Sequence, residues 1–314
     1  MYLILCKLIF LFFTSFVILC LASSNGNSNY IIEVINFESD SRGFSKPVIA
    51  LVAIPKQNKD KYPVIITQHG STRDGINFLD TGGKTDEYSS RVISEGTKRG
   101  FAVIAIDAFF KTALRPSQKS RFPNAFQYAI DLKELLEKDE RFDADNIFYT
   151  GFSYGARQVL KSLDGRVDYK SNQWRAIAAA EPGCNIISEP IKVHFPIMII
   201  KGAESHYYIE PCKFLGSLIE ASGGSLQFVT IKGANHFFSS NGELVNGVAV
   251  NGCRYNPVIK KTDGTMVFAD GTVASRDLIK KRCFTKEAGK GKNRKYLNMV
   301  VDTVIRFFEK SKKN

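Results

Sequence analysis

Asn146-Ile147-Phe148-Tyr149-Thr150-Gly151-Phe152-Ser153-Tyr154-Gly155 is a β-prone run that ends in the pattern G-x-S-x-G. The next eight residues, Ala156 to Leu163, read as helix. Strand, sharp turn, helix is the setting in which this pattern carries chemistry, because the turn forces Ser153 into a strained backbone conformation and leaves its hydroxyl exposed at the edge of a sheet. The glycines on either side remove the Cβ atoms that would collide there. Gly and Ser are common residues, so the five letters alone are weak; the flanking strand and helix give them weight.

Upstream, Tyr30 to Phe37 and Pro47 to Ile54 read as strands. Pro63 to Thr67 and Phe101 to Ile106 are continuous apolar β runs, as expected of strands buried on both faces. Asp86 to Arg99 reads as a helix closed by Gly100, and Asn124 to Lys138 as an amphipathic helix. Downstream come strands at Arg175 to Ala180, Pro196 to Lys201 and Leu226 to Ile231, and helices at Ile209 to Ala221 and Lys295 to Lys310. Alternating strands and helices predict an α/β fold with a mostly parallel central sheet and helices on both faces. Such sheets bind ligands outside the carboxyl ends of their strands. His69, Asp107, Ser153, Glu181, Glu204 and His236 all follow strand ends of this kind. Residues 239–293, rich in Gly, Lys and Asp, are read as an insertion before the last helix.

The chain has 314 residues, 44% of them hydrophobic and 24% charged, which suits a globular α/β protein. Its start is not expected to join the fold. Lys7 precedes an apolar run from Leu8 to Leu21, and small residues follow, so residues 1–22 are expected to be a signal peptide cleaved after Ala22, leaving residues 23–314 as the folded domain. The expected location is therefore secreted or periplasmic. Cys6 and Cys20 would leave with the signal, and the four remaining cysteines (Cys184, Cys212, Cys253 and Cys283) suit two disulfides in an oxidising compartment. Three pairings are open; the one between sequence neighbours is Cys184–Cys212 and Cys253–Cys283. The four histidines show no metal-ligand spacing, and there is no C-x-x-C. The formal net charge of +12 is concentrated late, around Lys280-Lys281-Arg282 and between Lys286 and Lys295. A solvated basic face accounts for it, with weak contact to an anionic membrane surface or polymer as the sharper reading. Nucleic acid is not an expected partner, since no stacking motif accompanies the charge.

A serine hydroxyl needs a base, and the base an orienting acid. His236, in Gly233-Ala234-Asn235-His236-Phe237 after the last strand, is the candidate base. Three glutamates compete for the acid. Glu204 is preferred, Glu181 is the main alternative, and Glu210 falls in a helix. The oxyanion of an acyl-transfer intermediate needs fixed donors; the backbone N–H of Tyr154 and that of Gly70, with Ser71 beside it, are the candidates. His69 reads as a residue that shapes its loop. Phe109, Phe110, Arg115, Tyr207 and Tyr208 are candidates to line a pocket or simply to pack loops.

Taken in order, Ile66-Thr67-Gln68-His69-Gly70, Gly100 through Asp107, Gly151 through Gly155, Glu181-Pro182-Gly183-Cys184, Gly202 through Cys212 and Gly233 through Phe237 resemble the dienelactone hydrolase family of α/β-hydrolases, in particular an exported branch with paired cysteines. The resemblance implies an α/β-hydrolase fold in which the order Ser153, acid, His236 is the usual one. It implies a small-molecule acyl or ester substrate and no cofactor or metal. It implies that Cys184 and Cys212 are close and that Cys253 and Cys283 staple the insertion. Two departures matter. The family carries cysteine at the elbow where this chain has Ser153, which favours a serine esterase. The family's acid is an aspartate in a turn that is one residue shorter here, and counting back from Cys212 puts Glu204 in its place. The rival expectations are a non-catalytic domain that binds a ligand or envelope polymer, and a peptidase using the same three residues.

Overall fold

A computed structural model of the chain describes residues 6–7, 19–22, 29–40, 45–57, 59–78, 81–112, 114, 121–167, 172–238, 249–285 and 291–313. The chain divides into two compact units, Met1–Gly151 with Lys312–Asn314, and Phe152–Ser311. The segment expected to be a signal peptide lies outside the described residues apart from two short strands, β1 (Cys6–Lys7) and β2 (Leu19–Ala22).

In the first unit, β3 (Tyr30–Asp40), β4 (Ser45–Pro55), β5 (Tyr62–Gln68), β6 (Ala102–Asp107) and β7 (Phe142–Phe152) follow β1 and β2. Their order across the sheet is β1-β2-β3-β4-β6-β5-β7. The early strands pair antiparallel, and β5 pairs parallel with both β6 and β7. Every residue of β6 is buried, as is all of β5 after Tyr62, which is why these strands read as unbroken apolar runs. Two helices, α1 (Glu87–Lys98) and α2 (Ala125–Leu136), belong to this unit. Asp86 caps α1 by accepting the N–H of Ser89, and Gly100, at φ 78°, closes it in the left-handed conformation that glycine adopts without steric cost.

The second unit opens with α3 (Tyr154–Val159), followed by a turn of 3-10 helix at Leu160–Leu163. Three strands, β8 (Ala176–Ala180), β10 (Ile197–Gly202) and β11 (Leu226–Ile231), pair in parallel in the order β8-β10-β11. Both β8 and β10 are buried throughout, whereas β11 is mostly half-exposed. Against them pack α4 (Glu210–Ala221) and α6 (Arg294–Ser311). The apolar stripe of α6 (Leu297, Val300, Val301, Val304, Ile305 and Phe308) is buried in full, as its spacing predicts.

Residues 249–285 hold structure that the sequence did not reveal. They form β12 (Ala249–Val250), β13 (Val258–Lys260), β14 (Met266–Phe268), α5 (Arg276–Cys283) and β15 (Phe284–Thr285). Between β8 and β10 lies β9 (Ile186–Ser188), which takes β13 as a parallel partner, while β14 lies on the other side of β13. Val258, Phe268, Ala274, Ile279 and Cys283 make a small core of their own. The basic run at the end of α5 suits the helix's carboxyl terminus, and the Arg282 guanidinium lies 4.8 Å over the Phe268 ring.

Both disulfides join sequence neighbours, Cys184 to Cys212 and Cys253 to Cys283. So small a core needs covalent help. The Cys253–Cys283 bridge closes a loop with a sequence separation of 30, for which chain entropy gives about 3.5 kcal/mol of stabilisation. Replacing both cysteines by alanine is expected to raise amide hydrogen exchange in β13 and β14 sharply while leaving β8 and β10 protected. Unchanged protection in the double variant would show that the lobe does not depend on its bridge.

Candidate active site

The elbow is as strained as its sequence demands. Ser153 sits at φ 52°, ψ −105°, a conformation costly for a residue with a side chain, and its N–H is held by Ala180 O at 2.9 Å. Tyr154, next in the chain, is the first residue of α3, where a backbone N–H has no acceptor inside its own helix.

His236 arrives on the turn after β11. Its Nε2 lies 2.9 Å from Ser153 Oγ, and its Nδ1 lies 3.1 Å from Glu181 Oε2. The serine hydroxyl therefore donates to Nε2 when Nδ1–H donates to the carboxylate. Around the imidazole stand the rings of Phe152, Tyr207, His206 and Phe237, with centroids 5.4, 4.7, 4.9 and 5.0 Å away. Ser153 stays partly exposed, whereas His236 is 3% and Glu181 0% exposed. The relay is thus open to solvent at the nucleophile and closed behind it.

Glu181 follows β8 and is itself at a positive φ of 56°. Its Oε1 accepts the N–H of Gly202, and its Oε2 accepts from Lys201 Nζ at 2.8 Å and Ser205 Oγ at 2.9 Å besides His236. Burial alone would raise its carboxyl. The Lys201 charge, with the hydrogen bond and charge of His236, outweighs burial and brings it down to about 2.

The expectation that Glu204 stands behind His236 is corrected by this geometry. The turn after β10 is tied to the histidine loop by its backbone, Ala203 N–H to Ile231 O and Glu204 N–H to Ala234 O, and the Glu204 residue is exposed. The third candidate, Glu210, lies in the first turn of α4 and pairs with Arg254 at 2.6 Å.

Gly70 is also reassigned. Its N–H donates to Asp86 Oδ2 at 2.6 Å, so its single proton is already engaged by the carboxylate that caps α1. His69 has the loop-shaping role expected of it: it is buried, its Nδ1 lies 2.5 Å from Gly70 O and its Nε2 accepts the N–H of Ala108 at 3.0 Å. Asp107 belongs to the same cluster, bound by Arg73 at 2.7 Å and by the N–H groups of Lys84 and Phe109. The strand-end residues thus fall into two groups, His69 with Asp107, and Ser153 with Glu181 and His236. Phe109 packs on His69, Arg254 lies over the Tyr208 ring, and Arg115 is outside the described residues. Among the described residues no cluster of three or more His, Cys, Asp or Glu side chains is gathered as metal ligands would be, and no helix is long and apolar enough to cross a membrane.

The sequence contained one signal for Glu181 that spacing did not use. Lys201 stands inside the buried strand Ile197-Met198-Ile199-Ile200-Lys201-Gly202. A lysine there requires a buried carboxylate, and Glu181 immediately follows the strand alongside.

No protein-family profile and no curated protein matches the chain. Solved structures do. A dienelactone hydrolase-like promiscuous phosphotriesterase from metagenomic libraries superposes with a TM-score of 0.57 at 10% identity, covering 89% of this chain and 98% of its own. A dienelactone hydrolase homologue from Klebsiella pneumoniae subsp. pneumoniae MGH 78578 gives a TM-score of 0.47 at 16% identity, over 65% of this chain and 87% of its own. At such identities the first of these matches speaks for architecture: the chain has the α/β-hydrolase fold, parallel strands alternating with helices.

Proposed function

We propose that the protein is an exported serine hydrolase that cleaves a carboxylic ester through Ser153, His236 and Glu181. The observation that carries this reading is the unbroken relay from Ser153 Oγ to His236 Nε2 at 2.9 Å and from His236 Nδ1 to Glu181 Oε2 at 3.1 Å, mounted on a serine at φ 52°. His236 takes the hydroxyl proton as Ser153 Oγ attacks the carbonyl carbon, and Glu181 holds the ring in the required tautomer and balances the imidazolium. The oxyanion that forms is received by the backbone N–H of Tyr154. His236 then hands its proton to the departing alkoxide, leaving an acyl-serine. A water, deprotonated by the same histidine, attacks the acyl carbon, the acid leaves, and Ser153 recovers its proton.

A ligand-binding domain without catalysis would be favoured by a His236 with no carboxylate beside it; Glu181 stands there. Export rests on the apolar leader at Leu8 to Leu21 and on cysteines that are paired.

The test is covalent. A fluorophosphonate should modify the protein once, and peptide mass spectrometry should find the adduct on Ser153, in parallel with loss of activity on an activated ester. An adduct elsewhere, or none on active protein, would overturn the assignment.

A further inference from the structure

Lys201 is fully buried, and the catalytic steps proposed for Ser153, His236 and Glu181 make no use of it. It is an ammonium on β10, 2.8 Å from Glu181 Oε2, 3.2 Å from Pro182 O and 3.3 Å from Ser205 Oγ. The oxygen it touches is the one that meets His236 Nδ1. Glu181 is therefore shared between two groups able to carry positive charge, one permanently placed and one that must gain and lose a proton in every cycle.

The charge balance of this buried cluster sets the role of the lysine. Low-dielectric surroundings penalise net charge. With Lys201 ionised and Glu181 ionised, the cluster is neutral when His236 is neutral, and that is the form able to accept the proton of Ser153. Remove the ammonium and the lone carboxylate is balanced only by an imidazolium, which cannot act as a base. Burial lowers the proton affinity of Lys201 and the Glu181 carboxylate opposes that fall. Among the described residues the imidazole is also faced by Ser153 from the elbow, and by His206 and Tyr207 from the turn before α4.

We propose that Lys201 is a positioning residue of the relay: by neutralising Glu181 it keeps His236 unprotonated, and so competent as a base, at mildly acid pH. This rests on the reading of Ser153 and His236 as the catalytic pair, and it assigns a role to a side chain outside that pair.

The experiment measures His236 protonation by imidazole NMR and the pH profile of kcat/KM on an activated ester, in the wild-type protein, Lys201→Met and Lys201→Arg. In Lys201→Met both midpoints are expected to rise by roughly one to two pH units. Its kcat/KM at pH ~6 should then fall about tenfold or more and recover in mild alkali. Lys201→Arg, which keeps the charge, should keep the wild-type midpoint. An unmoved midpoint in Lys201→Met, or the same rise in both variants, would overturn the proposal. Should Lys201→Met not fold, the wild-type protein decides: a His236 midpoint below the ordinary histidine value of about 6.5 supports the role, and one at or above it refutes it. The NMR measurement does not need turnover, so a protein without hydrolytic activity would refute the proposed function while this arm still tests Lys201.

Discussion

Glu181→Gln is expected to lower kcat by about a thousandfold to ten-thousandfold, whereas Glu204→Gln should leave it within about threefold. The amide keeps the size of the side chain and removes its charge. It can also present an N–H to His236 Nδ1, turning the ring to the tautomer whose Nε2 carries a proton and cannot take one from Ser153. At Glu204 nothing comparable happens, because the residue is exposed and its tie to the histidine loop is through the backbone. Steady-state kinetics on an activated ester, with circular dichroism to establish that both variants fold, decides the matter. A large loss in Glu204→Gln with little in Glu181→Gln would reverse the assignment of the acid.

Gly202→Ala is the second substitution with a large expected effect, and it acts without removing any reacting group. Gly202 ends β10 beneath the loop that carries His236. A Cβ built there would fall well inside van der Waals contact with Ala234 O, 2.7 Å from Ala234 C and 2.8 Å from Asn235 O. The colliding atoms are backbone, which cannot swing away as the end of a side chain can. Relief requires moving the loop, and a shift of about 1 Å in His236 is worth on the order of a hundredfold in rate. The loss should appear in kcat more than in KM, and fluorophosphonate labelling should slow in proportion. Wild-type kcat in Gly202→Ala would mean that the loop absorbs the methyl group without displacing the imidazole.

Much of the architecture could be read from residue order because the strands that matter are buried on both faces. Ile-Ala-Ala-Ala in β8 and Val-Ile-Ala-Ile in β6 leave no polar position to confuse the period. The elbow was readable because a serine flanked by glycines stands where a strand passes abruptly into a helix. The carboxylate beside His236 was not readable by spacing. Counting back from Cys212 located the turn after β10, but the end of β10 and that turn supply Lys201, the N–H of Gly202 and Ser205 to hold the carboxylate that follows the neighbouring strand. Gly70 failed as a donor because Asp86, distant in sequence, takes its proton. The elements inside the insertion after the histidine loop were not readable because strands of two or three residues have no period to detect, and one of them pairs with the distant β9.

That partnership between β9 and β13 has a consequence for how the two segments open. Ile186 pairs with Val258, Ile187 with Ile259 and Ser188 with Lys260, each a parallel match across a long stretch of chain. The chain leaving Glu181 is thereby tied to a lobe that Cys253 and Cys283 hold together. The loss of protection expected in β13 when that bridge is removed should therefore reach β9 as well.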